Sequence, residues 1–262
     1  MTEIPRDAIA LQLYTLRAET AQDLLGVLKR VSEIGYRAVE FAGLQGVEPS
    51  LARATLNELG MVAAGAHVPL QQWEHALGDT LTELAVIGAE YGVVPWVPED
   101  RRTSIDDVRR LAEIFNAVAS ACANRGIRFA FHHHAIEFAP LPGGDGQTMF
   151  DVLIAETDPA LVNFEIDLYW AEVAGVDLRA LLERLSGRVP LVHLKDAGQA
   201  QPGEIPPDLP VGEGTLPWSE LIPAAMAAGA RWWIVEQDNP NPTDPFADAA
   251  TAFRNLTTMR FG

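Results

Sequence analysis

A chain of 262 residues with 36 acidic against 19 basic side chains, a formal charge of −17, repels phosphate backbones and anionic lipid surfaces, which argues against nucleic-acid and membrane partners. With 48% hydrophobic and 21% charged residues it has ample material for a core and does not read as disordered. One cysteine, Cys122, rules out an intrachain disulfide, and the opening MTEIPRDAIALQLY lacks a basic stretch followed by an apolar one, so a cytoplasmic location is expected.

From the N-terminus, the strand-like run AIALQLY feeds a helix whose start, TAQD, places Thr20 and Asp23 at capping-box spacing and which stops at Gly35. YRAVEFAG follows, then a helix around PSLARATLNEL ending at Gly60, the run MVAAGAHV, and one long helix over LQQWEHALGDTLTELAVIGAEY. Gly92 opens VVPWV, and a helix with Ser104 and Asp107 at cap spacing runs to Gly126 before IRFAFHHH. Later strands are expected at VNFEIDLYW, VPLVHLKD and WWIVEQD, with helices at TMFDVLIAET, DLRALLERL, PWSELIPAAMAA and PFADAATAFRNL. Strands separated by helices pair in parallel through right-handed crossovers. Eight such units of about 33 residues predict one domain over residues 1–262, an α/β fold closed as a (β/α)8 TIM barrel. The GxGxxG turn of an open doubly wound sheet does not follow the first run. The segment AGQAQPGEIPPDLPVGEG, rich in Pro and Gly, reads as a functional loop or lid.

In such a barrel chemistry gathers at the C-terminal strand ends, and there the chain carries Glu40, His67, the triplet His132 to His134, Asp167, His193, Lys195 and Glu236. Alternation along each strand turns Phe129 and Phe131 toward the helices together with His133, and Ala130, His132 and His134 toward the barrel axis. The same parity turns Asn163, Glu165, Asp167, His193, Lys195, Glu236 and Asp238 inward. Carboxylates crowded into one mouth lose hydration and repel each other, and a divalent cation is an economical compensation. Glu137, Asp167, His193 and Glu236 offer three carboxylates and one imidazole, an oxygen-rich set that suits Mn2+ or Mg2+ first and Zn2+, Co2+ or Ni2+ next.

These residues carry a resemblance. LQLYTLR, GYRAVEFAG, GAHV, VVPW, FHHHAIEF, ETDPALVNFEIDLYW, GRVPLVHLKD, VGEG and IVEQD together resemble the xylose-isomerase-like TIM barrels of the sugar phosphate isomerase/epimerase type, in particular a subgroup with a strand-5 HxHxxEF motif. The resemblance implies one divalent ion held by Glu137, Asp167, His193 and Glu236, with His132 as the substitute at the fifth strand. It also implies an isomerase or epimerase for a keto-sugar, in which Glu137 and Glu236 exchange a proton through an enediolate. The alternative at the same site is a lyase that eliminates a β substituent from a 3-keto-glycoside or keto-inositol, with His132 or His134 protonating the departing oxygen. Glu40, His67 and Lys195 are expected to bind substrate hydroxyls, and Trp96 and Trp170 to stack on a sugar face. The expected partner is a small, unphosphorylated carbohydrate, and formation of a homo-oligomer is left open. Metal-dependent apurinic endonucleases share this barrel, but the acidic charge and the few histidines speak against that activity.

Overall fold

The computed structural model describes residues 3–201 and 203–260. Eight parallel strands, β1 (Ile9–Gln12), β2 (Ala38–Phe41), β3 (Val62–His67), β4 (Tyr91–Val94), β5 (Arg128–His132), β6 (Val162–Asp167), β7 (Leu191–Leu194) and β8 (Trp232–Val235), pair in chain order, and β8 closes on β1. Ten α-helices connect them among the described residues: α1 (Arg17–Ile34), α2 (Pro49–Glu58), α3 (Leu70–His75), α4 (Leu77–Ile87), α5 (Ile105–Ala123), α6 (Met149–Glu156), α7 (Leu168–Val173), α8 (Leu178–Arg184), α9 (Trp218–Ala228) and α10 (Pro245–Thr258). The whole is a single (β/α)8 barrel, as the alternation of strand-like and helix-like runs predicts. No helix among the described residues is long and apolar enough to cross a membrane.

Two apolar layers hold it together. Inside the barrel a small cluster of Ala10, Ala38, Ala64, Ala130, Tyr91, Val93, Leu191 and Ile234 forms the floor beneath the polar mouth. Outside, the other strand faces meet the helices. Phe129 and Phe131 are fully buried and both lie against Phe115 of α5, at ring distances of 5.2 and 5.4 Å. Burying each such ring contributes roughly 1.5–3 kcal/mol. Helix α5 turns Val108, Leu111, Phe115, Val118 and Cys122 inward at helical spacing. Burial there pushes the Cys122 thiol up to about 12, so it packs as a small apolar group.

Local chemistry sets the helix starts. Ser104 Oγ accepts from the Asp107 N–H at 3.2 Å, the cap its spacing announces. At α1 the cap is Asp23, not Thr20: the helix begins at Arg17, breaks at Asp23 (φ −154°, ψ 81°), and Asp23 Oδ1 accepts from Gly26 N at 2.9 Å. Thr20 instead donates to the Arg17 carbonyl. The single helix expected over 70–91 is two, because the chain turns at Ala76 (φ −138°, ψ 34°). Trp73 of α3 fits against Gly92, where an added Cβ would lie 2.6 Å from the indole. Tyr169 and Trp170 lie on α7 rather than on a strand, since the Asp167 side chain caps that helix by accepting from Trp170 N at 2.9 Å.

Candidate active site

The strand registers bring the polar residues to one level of the barrel. Gln12 pairs with Glu40, His132 with Glu165, and Asp167 with His193. The pairing of β2 with β3 shifts register between Val39 and Glu40, where β3 carries one extra residue, Ala64, and this sets Gly65 opposite Glu40 and makes room for it. A Cβ at Gly65 would stand 2.3 Å from Glu40 Oε1. Parity holds as expected from alternation: Ala130 and His132 face inward, while His133 packs among Phe138 and Phe150 on the helix side.

His193 stands at the centre. Its Nε2 lies 2.9 Å from Glu40 Oε2 and 3.1 Å from Glu165 Oε2, and its Nδ1 lies 2.8 Å from Glu236 Oε2 and 4.0 Å from Asp167 Oδ2. Burial opposes its charge, but Glu165 and Glu236 outweigh burial and hold the imidazole well above its ordinary range. Glu165 Oε2 also sits 2.9 Å from His67 Nε2 and 3.0 Å from His132 Nδ1. His67 follows the same logic: burial works against the imidazolium, Glu40 and Glu165 prevail, and its pKa rises to about 10. His132 goes the other way. Burial and the charge on His193 keep it neutral, and its Nδ1 makes no aligned hydrogen bond to a described residue.

Lys195 is wholly buried, with Nζ 2.8 Å from Asp167, 2.7 Å from Glu236 and 2.8 Å from Asp238. It pairs with these three carboxylates and is not on the wall of the cavity described below, whereas the sequence reading expects it to bind substrate hydroxyls. Even so, burial together with Glu236 pushes the Asp167 carboxyl up to about 6, against the pull of Lys195 and His193.

Two sets of four side chains among the described residues bring ligand atoms within 4.8 Å of one another: His67, His132, Glu165 and His193, and His132, Asp167, His193 and Glu236. Three of the four expected ligands fall in the second set. Glu137 is in neither. It sits in the short 3-10 turn Ala135–Phe138, buried, with Oε2 accepting from the His134 N–H at 2.7 Å. The carboxylate that chain order offers for β5 is engaged in closing its own turn, and His132 occupies the place it was expected to fill. The second set tests well as a cation site: its donors are two carboxylates and two imidazoles, all buried, and two of their atoms, His132 Nδ1 and Asp167 Oδ2, make no aligned hydrogen bond to a described residue.

A cavity of about 780 Å³ opens above, and His67, His132, His134, Glu236 and Asp238 form its inner wall. Trp96 belongs to its outer wall and stands edge-on to His134 at 5.3 Å. Trp170 lies 5.5 Å from the His134 ring and 5.7 Å from Lys195 Nζ, and its indole N–H has no hydrogen-bond partner among the described residues. Glu40 lies below the cavity, bonded to Gln12 Nε2 at 2.7 Å. Reading strand ends alone passes over Glu165, Asp238 and Gln12. Glu165 and Asp238 share the inward parity of Asp167 and Glu236, and that was the signal for them.

A model of the family described as xylose isomerase-like TIM barrel matches residues 28–257. An inosose dehydratase from Geobacillus kaustophilus is 27% identical over 195 residues, which cover 65% of this chain and 61% of the relative, so the match spans under two thirds of that protein. The structure of a sugar phosphate isomerase/epimerase from Parabacteroides distasonis superposes with a TM-score of 0.83 at 21% identity, covering 97% of this chain and 98% of that one. The IOLI protein with a binding zinc atom superposes at 0.73 with 11% identity, covering 96% of each chain. With the family model spanning most of its length, the chain belongs to the xylose isomerase-like TIM barrel family.

Proposed function

We propose that the protein is a divalent-metal-dependent carbon–oxygen lyase that removes a proton beside the carbonyl of a keto-carbohydrate and expels an oxygen substituent from the next carbon. The observation that carries this reading is that one cavity presents unlike proton-handling groups from two sides: the carboxylates Glu236 and Asp238 after β8, and the imidazole of His67 at the end of β3. The likeness to inosose dehydratase supports the same outcome.

His132, Asp167, His193 and Glu236 would hold the ion. Two imidazoles beside two carboxylates suit Mn2+ or Zn2+ better than Mg2+. Bound there, the ion would polarise the substrate carbonyl and acidify the neighbouring C–H. Asp238, on the cavity wall and with its carboxyl raised above its ordinary value by burial against the pull of Lys195, accepts that proton. The electron pair left on carbon becomes the C=C bond as the C–O bond at the next carbon breaks. His67, kept cationic by Glu40 and Glu165, gives its proton to the departing oxygen. The products are an unsaturated ketone and water or an alcohol. His134, which burial holds down to about 3, stays neutral and orients a hydroxyl rather than acting as the acid. Among the described residues no Lys or Arg lines the cavity, whereas Glu48 and Glu83 do, which favours an uncharged carbohydrate.

The second reading, isomerisation or epimerisation, is favoured by Asp238 lying beside Glu236, two carboxylates on one cavity wall. It lacks the carboxylate expected from β5, since Glu137 closes its own turn. A proton NMR time course in deuterium oxide with Mn2+ and a 3-keto-glucoside or keto-inositol separates the two. Vinyl signals with a freed alcohol or water support elimination, and deuterium entering the α carbon of an intact sugar supports the second reading. Inertness of every such substrate with Mn2+ or Zn2+ would sink both. Asp238→Asn is expected to lower kcat about 10²–10⁴-fold with metal content intact.

A further inference from the structure

Among the described residues the exposed aromatic side chains are Tyr14, at 43%, and Trp96, at 46%, and both line the cavity. The other tyrosines, Tyr36, Tyr91 and Tyr169, are buried. An aromatic ring left open on a concave wall marks a surface that a ligand covers. Trp96 follows from its place at a strand end, but nothing in the strand pattern singles out Tyr14. It lies in the 3-10 turn Leu13–Leu16 directly after β1, and that turn is fastened to the end of β8. Tyr14 N donates to Gln12 Oε1 at 3.1 Å, and Thr15 Oγ accepts from Gln237 N at 3.0 Å. The Arg17 guanidinium donates to two backbone carbonyls, that of Tyr14 at 3.0 Å and that of Asp238 at 2.8 Å. The same guanidinium lies over the Tyr14 ring, its central carbon 4.5 Å from the ring centroid.

We propose that Tyr14 is a stacking platform for the C–H face of a closed sugar or cyclitol ring, and that Arg17 is the positioning residue that holds the platform in place. The inference rests on the ligand being a carbohydrate, which both readings above share, and on neither reaction. A guanidinium over one face of the ring leaves the opposite face for a ligand. Its planar fork, bonded to carbonyls of the β1 turn and of the β8 end, also sets where the ring stands relative to Glu236 and Asp238, which line the same cavity. A closed ring has two kinds of surface. Its edge carries hydroxyls that need hydrogen-bond partners, and its faces carry C–H groups that need none. The negative face of an aromatic ring attracts those C–H groups, because the neighbouring oxygens leave their hydrogens partly positive. A ring laid against Tyr14 therefore turns its hydroxyl edge toward the polar inner wall formed by His132, His134 and Glu236. An open-chain polyol has the same hydroxyls but no rigid C–H face, so the platform selects cyclic over acyclic carbohydrates. It is built in advance of binding, so little ordering cost falls on the ligand.

The test reads binding without turnover. The full chain, carrying carbon-13 in its tyrosine rings, is titrated by NMR with methyl β-D-glucopyranoside, a closed unoxidised ring, and with D-glucitol, an open chain. Loss of one signal in Tyr14→Phe assigns Tyr14. We expect the glucoside to move the Tyr14 signal, to leave those of the buried Tyr36 and Tyr91 in place, and to bind about tenfold more tightly than D-glucitol. Tyr14→Ala should weaken the glucoside about tenfold, and Tyr14→Phe, which restores the ring, should recover most of that loss. Arg17→Lys keeps the charge but cannot hold both carbonyls and lie flat on the ring, and it should weaken the glucoside by about 2–5-fold. Placed on Tyr14→Ala, the same substitution should cost nothing further, which a general loosening of the fold would not produce. A Tyr14 signal that the glucoside leaves unmoved, no binding of the glucoside, or equal affinities for ring and open chain overturns the platform. An Arg17→Lys effect as large without the Tyr14 ring as with it overturns the positioning role. Neither sugar reacts, so the outcome stands apart from the deuterium experiment. Inertness of every keto-sugar sinks the lyase and the isomerase, while a moved Tyr14 signal still supports the platform.

Discussion

His133 holds the backbone beneath Asp167 with both ring nitrogens. Its Nε2 accepts from the Asp167 N–H at 3.1 Å, and Nδ1–H donates to the His134 carbonyl at 3.2 Å, which only a neutral ring can do. Burial is the main cause that pulls its pKa down to about 3. Replacing it by Phe leaves the Asp167 N–H unpaired, and the expected loss is roughly 1–3 kcal/mol in a urea melt at pH 7.5. The pH sign follows from the depressed folded value. As pH falls below the unfolded value of 6.5 the unfolded chain takes the proton first, so stability is lost progressively down toward about 3. The loss between pH 6.5 and 4 should be shallower in His133→Phe, and an unchanged slope would mean the imidazole is not held neutral. Alternation along β5 shows which way His133 points, but no sequence pattern shows its bonds to the backbone of β6. The same limit hid the fate of Glu137. A glutamate three residues after His134 reads equally well as a ligand and as a turn-closing cap, and only the 2.7 Å bond from His134 N decides it. Metal content by mass spectrometry tests the exchange: Glu137→Gln should retain a bound ion, while His132→Ala should weaken it by roughly 10–100-fold or more.

The segment after β7 shows why an element can be located in sequence without its structure being legible. Pro and Gly mark 197–214 as irregular, yet described residues on both sides of it are tied down. Asp196 and Ala197 pair antiparallel with Leu209 and Asp208, and Tyr169 Oη donates to the Pro206 carbonyl. Asp196 is the anchor. Its buried carboxylate accepts from Gly212 N at 2.8 Å, Leu216 N at 3.0 Å, Ala197 N at 2.9 Å and Trp218 Nε1 at 2.7 Å, and Gly214 is required because a Cβ there would lie 2.4 Å from Oδ1. Each buried donor left unpaired costs roughly 1–3 kcal/mol, so Asp196→Ala should destabilise the fold by several kcal/mol and expose residues 198–207 to limited proteolysis. A loop that stays protected in the variant would show that the ribbon and Tyr169 suffice. The α3 and α4 break was illegible for a related reason: the apolar spacing of Trp73, Leu81, Leu84 and Ile87 satisfies one long helix as well as two short ones.

A closed parallel barrel delivers every strand's C-terminal end to one mouth, and that convergence is what makes the eightfold alternation legible as both fold and site. It also concentrates buried charge, with Glu40, Glu165, Asp167, Glu236 and Asp238 facing Lys195 and the imidazoles. Folding must hold these carboxylates together, and a cation that binds only the folded chain lowers that cost in proportion to its occupancy. At a free concentration a hundred times Kd the gain is about 2.7 kcal/mol. At roughly 2–4 °C per kcal/mol for a chain near this size, Tm should rise by about 5–10 °C with saturating Mn2+. The pH sign can be worked out too. The carboxylates around His193 keep it protonated, and an imidazole that ligates a metal cannot carry that proton, so binding releases protons and apparent affinity rises with pH. At one fixed, subsaturating Mn2+ concentration the Tm shift should therefore be larger at pH 8 than at pH 6. His132→Ala and Asp167→Asn should each reduce it. If Mn2+, Zn2+ and Co2+ all leave Tm unchanged across that range, then Lys195 and the protonated imidazoles already balance the mouth, and the chemistry there needs no metal.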